Sequence, residues 1–229
     1  MRIHPIRVRE TTCYLLEGQT GVVLIDTGPP GGAQAIIDGA AAAGVRHEEV
    51  RLIVLTHGHL DHYGATAEVK AWCGAPVAAH PGAPGFSQDR RNALPPGQTL
   101  RGSILRWLYL LLSPWVRFEP LEADLLLERG ADLSPYGVEA RTMHLPGHSP
   151  DSLGVIAEGE KVFVGDLFVN YGVPSKPLYL SDGEAWHHSY QQIRSLQPET
   201  VYVGHGDPFA GNQLERLYPA RYQLRWWVR

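Results

Sequence analysis

At 229 residues, 44% of them hydrophobic, the chain can bury a sizeable core as one domain with an insertion, and its net charge of −4, mixed in sign along the chain, leaves no footprint for nucleic acid. Two cysteines, Cys13 and Cys73, make neither a disulfide framework nor a cysteine-built zinc site. The opening MRIHPIRVRE lacks the apolar core of a signal peptide and no apolar run is long enough to span a bilayer, so a cytoplasmic location is expected.

TCYLL (12–16) and VVLID (22–26) read as strands on either side of the turn-rich EGQTG. After the break at TGPPGG, AQAIIDGAAAAG reads as a helix ending near Gly44. VRLIVL (50–55) is a continuous apolar run, the pattern of a strand buried on both faces. A histidine-rich stretch follows, then GATAEVKAWCGA as a second helix and PVAAH (76–80) as the next strand; this order predicts α/β layering. Residues 81–98 carry the Pro, Gly and polar groups of a loop, and ILRWLYLLLSPWV (104–116) is the most apolar segment of the chain. Strand-like runs resume with ADLLLE, GVEARTMHL, LGVIAEG and KVFVGDLF; a helix over 183–196, a strand at TVYVGHG and a helical tail complete the chain.

The run LIVLTHGHLDHYG sets three histidines and an aspartate within six residues at the end of the buried strand. Alternate residues of extended chain share a side, which places His57 and His59 together; Asp61 and His62 fall where the chain turns into the next helix. His148 in HLPGHSPDS, Asp166 in VFVGDLF and His205 in VYVGHGD also follow strand-like runs. Packing has no use for four adjacent polar groups whose desolvation must be compensated, whereas imidazole and carboxylate groups suit a borderline divalent ion such as zinc.

THGHLDH followed by GHS, GD and GHG resembles the metallo-β-lactamase superfamily, and within it the glyoxalase II-like and lactonase-like hydrolases, over about residues 12–207. The resemblance implies an αββα four-layer sandwich, a single domain over 1–229 with an insertion at about 81–120 whose apolar part, about 99–118, is helical. It implies two divalent ions, zinc first with manganese or iron as alternatives. His57, His59 and His148 would hold one ion and Asp61, His62 and His205 the other, with Asp166 bridging and Asp26 in LIDTG supporting the loop from behind. A water ionised on the metal pair would then cleave a carboxylic ester, thioester or lactone, with Asp61 accepting or relaying a proton.

Departures from the family pattern narrow the choice. Aspartate at 166, where some true β-lactamases carry cysteine, points away from β-lactams, and histidine at 59 points away from the flavo-diiron oxygen reductases. The chain after His205 is too short for the helical domain with which typical glyoxalase II enzymes grip glutathione. The expected partner is a small-molecule substrate, contacted by Tyr171 and, as an anion contact, Lys176. Trp107, Tyr109 and Trp115 in the apolar insertion leave three readings open: a lid over the substrate pocket, the contact of a homodimer, or a membrane-surface contact. Alternative functions are a mononuclear iron, persulfide dioxygenase-like oxidoreductase using His57, His148 and Asp166, a phosphodiester or β-lactam hydrolase, and a metal-stabilised partner protein without turnover.

Overall fold

The computed structural model describes residues 1–82, 103–104, 107–108, 111, 122–158 and 160–217. A six-stranded sheet runs in the order β1 (Arg2–Val8), β2 (Thr11–Glu17), β3 (Val22–Ile25), β4 (Val50–Val54), β5 (Val77–Ala79), β6 (Leu125–Leu126). Its first three strands are antiparallel and its last four parallel. The second sheet has the order β14 (Phe209–Ala210), β12 (Thr200–Tyr202), β9 (Lys161–Phe163), β8 (Leu153–Ala157), β7 (Ala140–His144). A small third sheet sets β10 (Val169–Asn170) between β11 (Pro174–Ser175) and β13 (His205–Gly206).

Strand alternation sorts the apolar residues into three layers. Tyr14, Leu16, Val23, Ile25, Leu52 and Val54 meet Leu153, Val155 and Phe163 of the second sheet, forming the core between the sheets. The intervening Leu15, Leu24, Ile53 and Val77 face outward, beneath helices α1 (Ala33–Ala43) and α3 (Thr66–Cys73), where they pack on Ile36, Ala40 and Val69. On the far side Val162, Val164, Val201 and Val203 lie under Trp186, Tyr190 and Ile193 of helix α4 (Gly183–Ser195). Both faces of both sheets are thus covered, which is why the strands read as continuous apolar runs and why the architecture is the expected αββα sandwich. Truncating Leu16, Leu24 or Leu52, each fully buried, to Ala would cost about 2–5 kcal/mol.

Most expected elements are present with ends shifted by a residue or two. The expected second helix is α3, within two residues of the expected ends; a further short helix, α2 (Leu60–Tyr63), precedes it where the chain turns to place Asp61 and His62. Strand β1 is absent from the sequence reading: its apolar residues are Ile3, which packs on the core between the sheets, and Ile6 and Val8, which lie under α1, while Pro5 is tolerated because β1 is an edge strand. Gly39 sits inside α1 at that contact, where a Cβ would lie 2.7 Å from Ile6 Cδ1. The expected tail helix begins as α5 (Leu214–Leu217), and its remainder lies outside the described residues. Of the insertion, residues 103, 104, 107, 108 and 111 are helical, in line with the helical expectation there.

Candidate metal centre

Strands β3, β4, β7, β9 and β12 all deliver their C-terminal ends to one edge of the sandwich, and the polar residues follow them directly: Asp26 after β3, His57 and His59 after β4, His148 after β7, Asp166 after β9 and His205 after β12. The two sheets are tied at this edge by Leu153 N–H donating to Thr56 O (2.7 Å) and Thr12 N–H donating to Gly204 O (2.7 Å).

Asp26 is the keystone of the first loop. Its backbone takes φ of 58°, a left-handed conformation that aspartate tolerates better than most residues. Buried at 1% exposure, its carboxylate accepts from Thr56 N–H and Thr56 Oγ1–H and from His62 Nδ1, each at 2.8 Å. Because Thr56 Oγ1 donates to Asp26, it accepts from His57 Nδ1 at 3.0 Å. His148 Nδ1 donates to Tyr179 O (2.8 Å) and His205 Nδ1 to Glu10 O (2.9 Å). Four rings therefore have Nδ1 engaged by an outward acceptor and Nε2 facing inward, the arrangement that orients metal-binding histidines.

The inward atoms form two sets. His57 Nε2 and His148 Nε2 each lie 2.9 Å from His59 Nδ1, and Asp166 Oδ2 is 3.9 Å from the first and 3.4 Å from the second. In the other set, His205 Nε2 is 3.1 Å from Asp61 Oδ2 and 3.4 Å from His62 Nε2. Asp166 reaches this set too, with Oδ2 3.3 Å from His205 Nε2 and Oδ1 3.2 Å from His62 Nε2. Gly204 allows that approach, since a Cβ there would sit 2.6 Å from both Asp166 Oδ1 and His62 Cε1. Within each set the donor atoms all lie within 4.8 Å of one another.

Charge divides the sets. Burial, reinforced by neighbouring imidazoles, holds His57 well below the usual range, takes His59 down to about 3 and lowers His148. Burial also opposes charge on His62 and His205, but Asp166 with Asp26 and Asp61 overcomes it: His62 is pushed up to about 10 and His205 well above its ordinary value. Against their own desolvation, Asp166 and Asp61 are held low by those same two histidines. Asp166 Oδ1 is nevertheless buried without a hydrogen bond. Neutral imidazoles in one set, ionised carboxylates in the other and an unmet carboxylate oxygen between them fit two borderline divalent cations.

The remaining expected residues are more scattered. Tyr171, 68% exposed, follows β10 at the margin of the small sheet. Lys176 places Nζ 4.0 Å over the ring of Trp186. Trp107 is helical and 73% exposed, while Tyr109 and Trp115 lie outside the described residues. His80 and His144 stack at 4.0 Å, and His144 Nε2 faces Pro150 O at 2.8 Å, so they brace the loop that carries His148. Two residues escaped the sequence reading: Thr56, which links Asp26 to His57, and Asp151, whose Oδ2 accepts from Gly58 N–H at 2.7 Å. Thr56 adjoins the histidine run and Asp151 lies in HLPGHSPDS; an acid two or three residues from a ligand was the available signal.

The family model of the metallo-beta-lactamase superfamily matches residues 6–205. The probable metallo-hydrolase YflN of Bacillus subtilis is 25% identical over 91% of this chain and 85% of its own. The hydroxyacylglutathione hydrolase GloC of Haemophilus influenzae is 26% identical over 96% of each chain. Among solved structures, TTHA1623 in a di-iron-bound form is 28% identical, with a TM-score of 0.67 over 96% of this chain and 99% of its own.

Proposed function

Since the chain belongs to the metallo-beta-lactamase superfamily, we propose that it is a metal-dependent hydrolase that cleaves a carboxylic ester, thioester or lactone at a two-ion centre. The observation that carries this reading is the shared Asp166: one buried carboxylate stands within 4 Å of His57, His148, His62 and His205, joining both donor sets. His57, His59, His148 and Asp166 would hold one ion, and Asp61, His62, His205 and Asp166 the other. Bound there, two divalent ions supply Lewis acidity and bring the pKa of water towards about 7.

The chain's own groups do the rest. Asp26, Thr56 and the carbonyls of Glu10 and Tyr179 hold the rings in one tautomer and one orientation. Asp61, ionised and 45% exposed at the side chain, is the carboxylate with access to solvent, and so the group placed to accept a proton and pass it on. Tyr171, exposed beside the strand that pairs with His205, is the substrate contact in this reading. Lys176, with Nζ 4.0 Å over the ring of Trp186, is the anion contact in this reading.

Thioesters belong on the substrate panel. A relative matched over 96% of each chain is named as a hydroxyacylglutathione hydrolase, which supports testing them. Zinc is the first expectation for the metal; the di-iron neighbour supports testing iron beside it. A mononuclear iron oxygenase would use His57, His148 and Asp166 and leave the Asp61, His62 and His205 set without a purpose. Among the described residues no helix is long and apolar enough to cross a membrane.

Elemental analysis of protein made with zinc, manganese and iron supplied, followed by lactone, thioester, ester and phosphoester assays, tests the proposal. Two ions per chain with turnover of one carbonyl class is the expected result. One iron per chain with oxygen uptake on persulfides would overturn it.

A further inference from the structure

The first donor set must assemble from two sheets. His57 and His59 ride the loop after β4, whereas His148 rides the loop between β7 and β8, yet their three nitrogens meet at 2.9 Å. We propose that Asp151 is the positioning residue that makes this possible: its carboxylate fastens the His148 loop to the residue between the other two ligands. The inference rests on the two-ion reading above and adds a role for a side chain that binds no ion itself.

Three observations support it. Asp151 Oδ2 accepts from Gly58 N–H at 2.7 Å, and Gly58 is bonded to His57 on one side and leads into His59 on the other. A short bond to a charged acceptor is stronger than an amide pair and fixes the peptide plane, and with it both ligands. The His148 loop is also rigid enough to transmit the tie. Leu145 N–H donates to Ser152 O (2.8 Å), the hydroxyls of Ser149 and Ser152 meet at 2.8 Å, and Ser181 Oγ–H donates to His148 O at 2.9 Å.

Thirdly, Asp151 is only 3% exposed, so water has little access to compete with Gly58 N–H for its carboxylate oxygen. The second set has its own supports, Asp26 on His62 and the Glu10 carbonyl on His205, and does not depend on this tie.

The test compares D151A, D151N and wild type by zinc competition against a chromophoric chelator, with cobalt-substituted spectra to report ligand geometry. Asn keeps an acceptor oxygen for Gly58 N–H. In D151A one of two ions is expected to bind about 10–100-fold more weakly while the other is unchanged. D151N is expected to recover most of the loss, and the chelated forms to unfold at similar temperatures. Wild-type affinity for both ions in D151A would overturn the role. So would D151N failing as badly as D151A, which would make charge and not the tie the cause, or equal loss of both ions with a less stable chelated protein, which would make Asp151 a general structural residue. If wild type holds fewer than two ions, the two-ion reading fails by itself. The D151A-to-wild-type ratio for the remaining ion then decides Asp151, an unchanged ratio overturning it.

Discussion

The two halves of the centre lie against each other yet hold opposite charge states. His57, His59 and His148 are kept neutral by burial and by one another, whereas His62 and His205 are drawn towards the protonated form by Asp61, Asp166 and Asp26. The first half is an imidazole cage already deprotonated for a cation. In the second, protons compensate the carboxylates, and a cation must displace them. Proximity in the sequence does not set this difference, since His59 and His62 are three residues apart. The placement of carboxylates decides it.

The largest expected effect comes from the group common to both halves. Asp166→Ala should lower metal content below two ions per chain and cut hydrolysis by at least about 100-fold, since outer partners alone are worth about 10–100-fold. Elemental analysis and initial rates check this, and retention of both ions would break the idea of a shared carboxylate.

Asp26→Ala should separate the halves next. It removes a buried acceptor of three hydrogen bonds, so urea unfolding should show a loss of about 2–4 kcal/mol. His62 would lose its orienting partner directly and His57 only through Thr56, so the ion of the second half should be the weaker one.

pH offers a subtler separation. With His62 pushed up to about 10 and His205 also raised, the second ion competes with protons throughout the neutral range. Its apparent affinity should fall up to about tenfold per pH unit for each proton displaced. Because His59 lies at about 3 and His57 and His148 are also depressed, the first ion's affinity should change little between about pH 8 and about pH 6. For the chelated protein the signs reverse between halves: stability from His62 is fully present below about 6.5 and lost as pH rises through its folded value. That from the depressed histidines is present above about 6.5 and lost as pH falls. Competition titrations and denaturant melts across this range would show parallel curves for the two ions if the contrast is wrong.

The smallest effect is a control remote from the centre. Asp124 accepts from Lys70 Nζ and Val77 N–H at 2.7 Å, joining β5 to α3. Asp124→Ala should cost about 1 kcal/mol in denaturant unfolding and leave metal content unchanged.

Much of this was legible in the sequence because metal-binding side chains are dense and apolar strands are continuous. HGHLDH announced half the donor set, and the runs at 12–16, 22–26 and 50–55 announced strands buried on both faces. Strand β1 was not legible, because its three apolar residues, Ile3, Ile6 and Val8, break strict alternation and stand among Arg, His and Pro. Nor was Asp151, since a single acid in a Pro- and Ser-containing loop is indistinguishable from a solvated turn until Gly58 is found opposite it.

By itself the sequence determined the chemistry available to this protein: five imidazoles and two carboxylates, most of them just after a strand and Asp61 and His62 in the short helix that follows, and the periodicity that folds those strands into covered sheets. Only the tertiary structure decided which of them share Asp166, which are neutral and which protonated, and which backbone carbonyls select their tautomers. Those properties depend on burial and on distances of a few ångströms between segments far apart in the chain, and no local pattern encodes them.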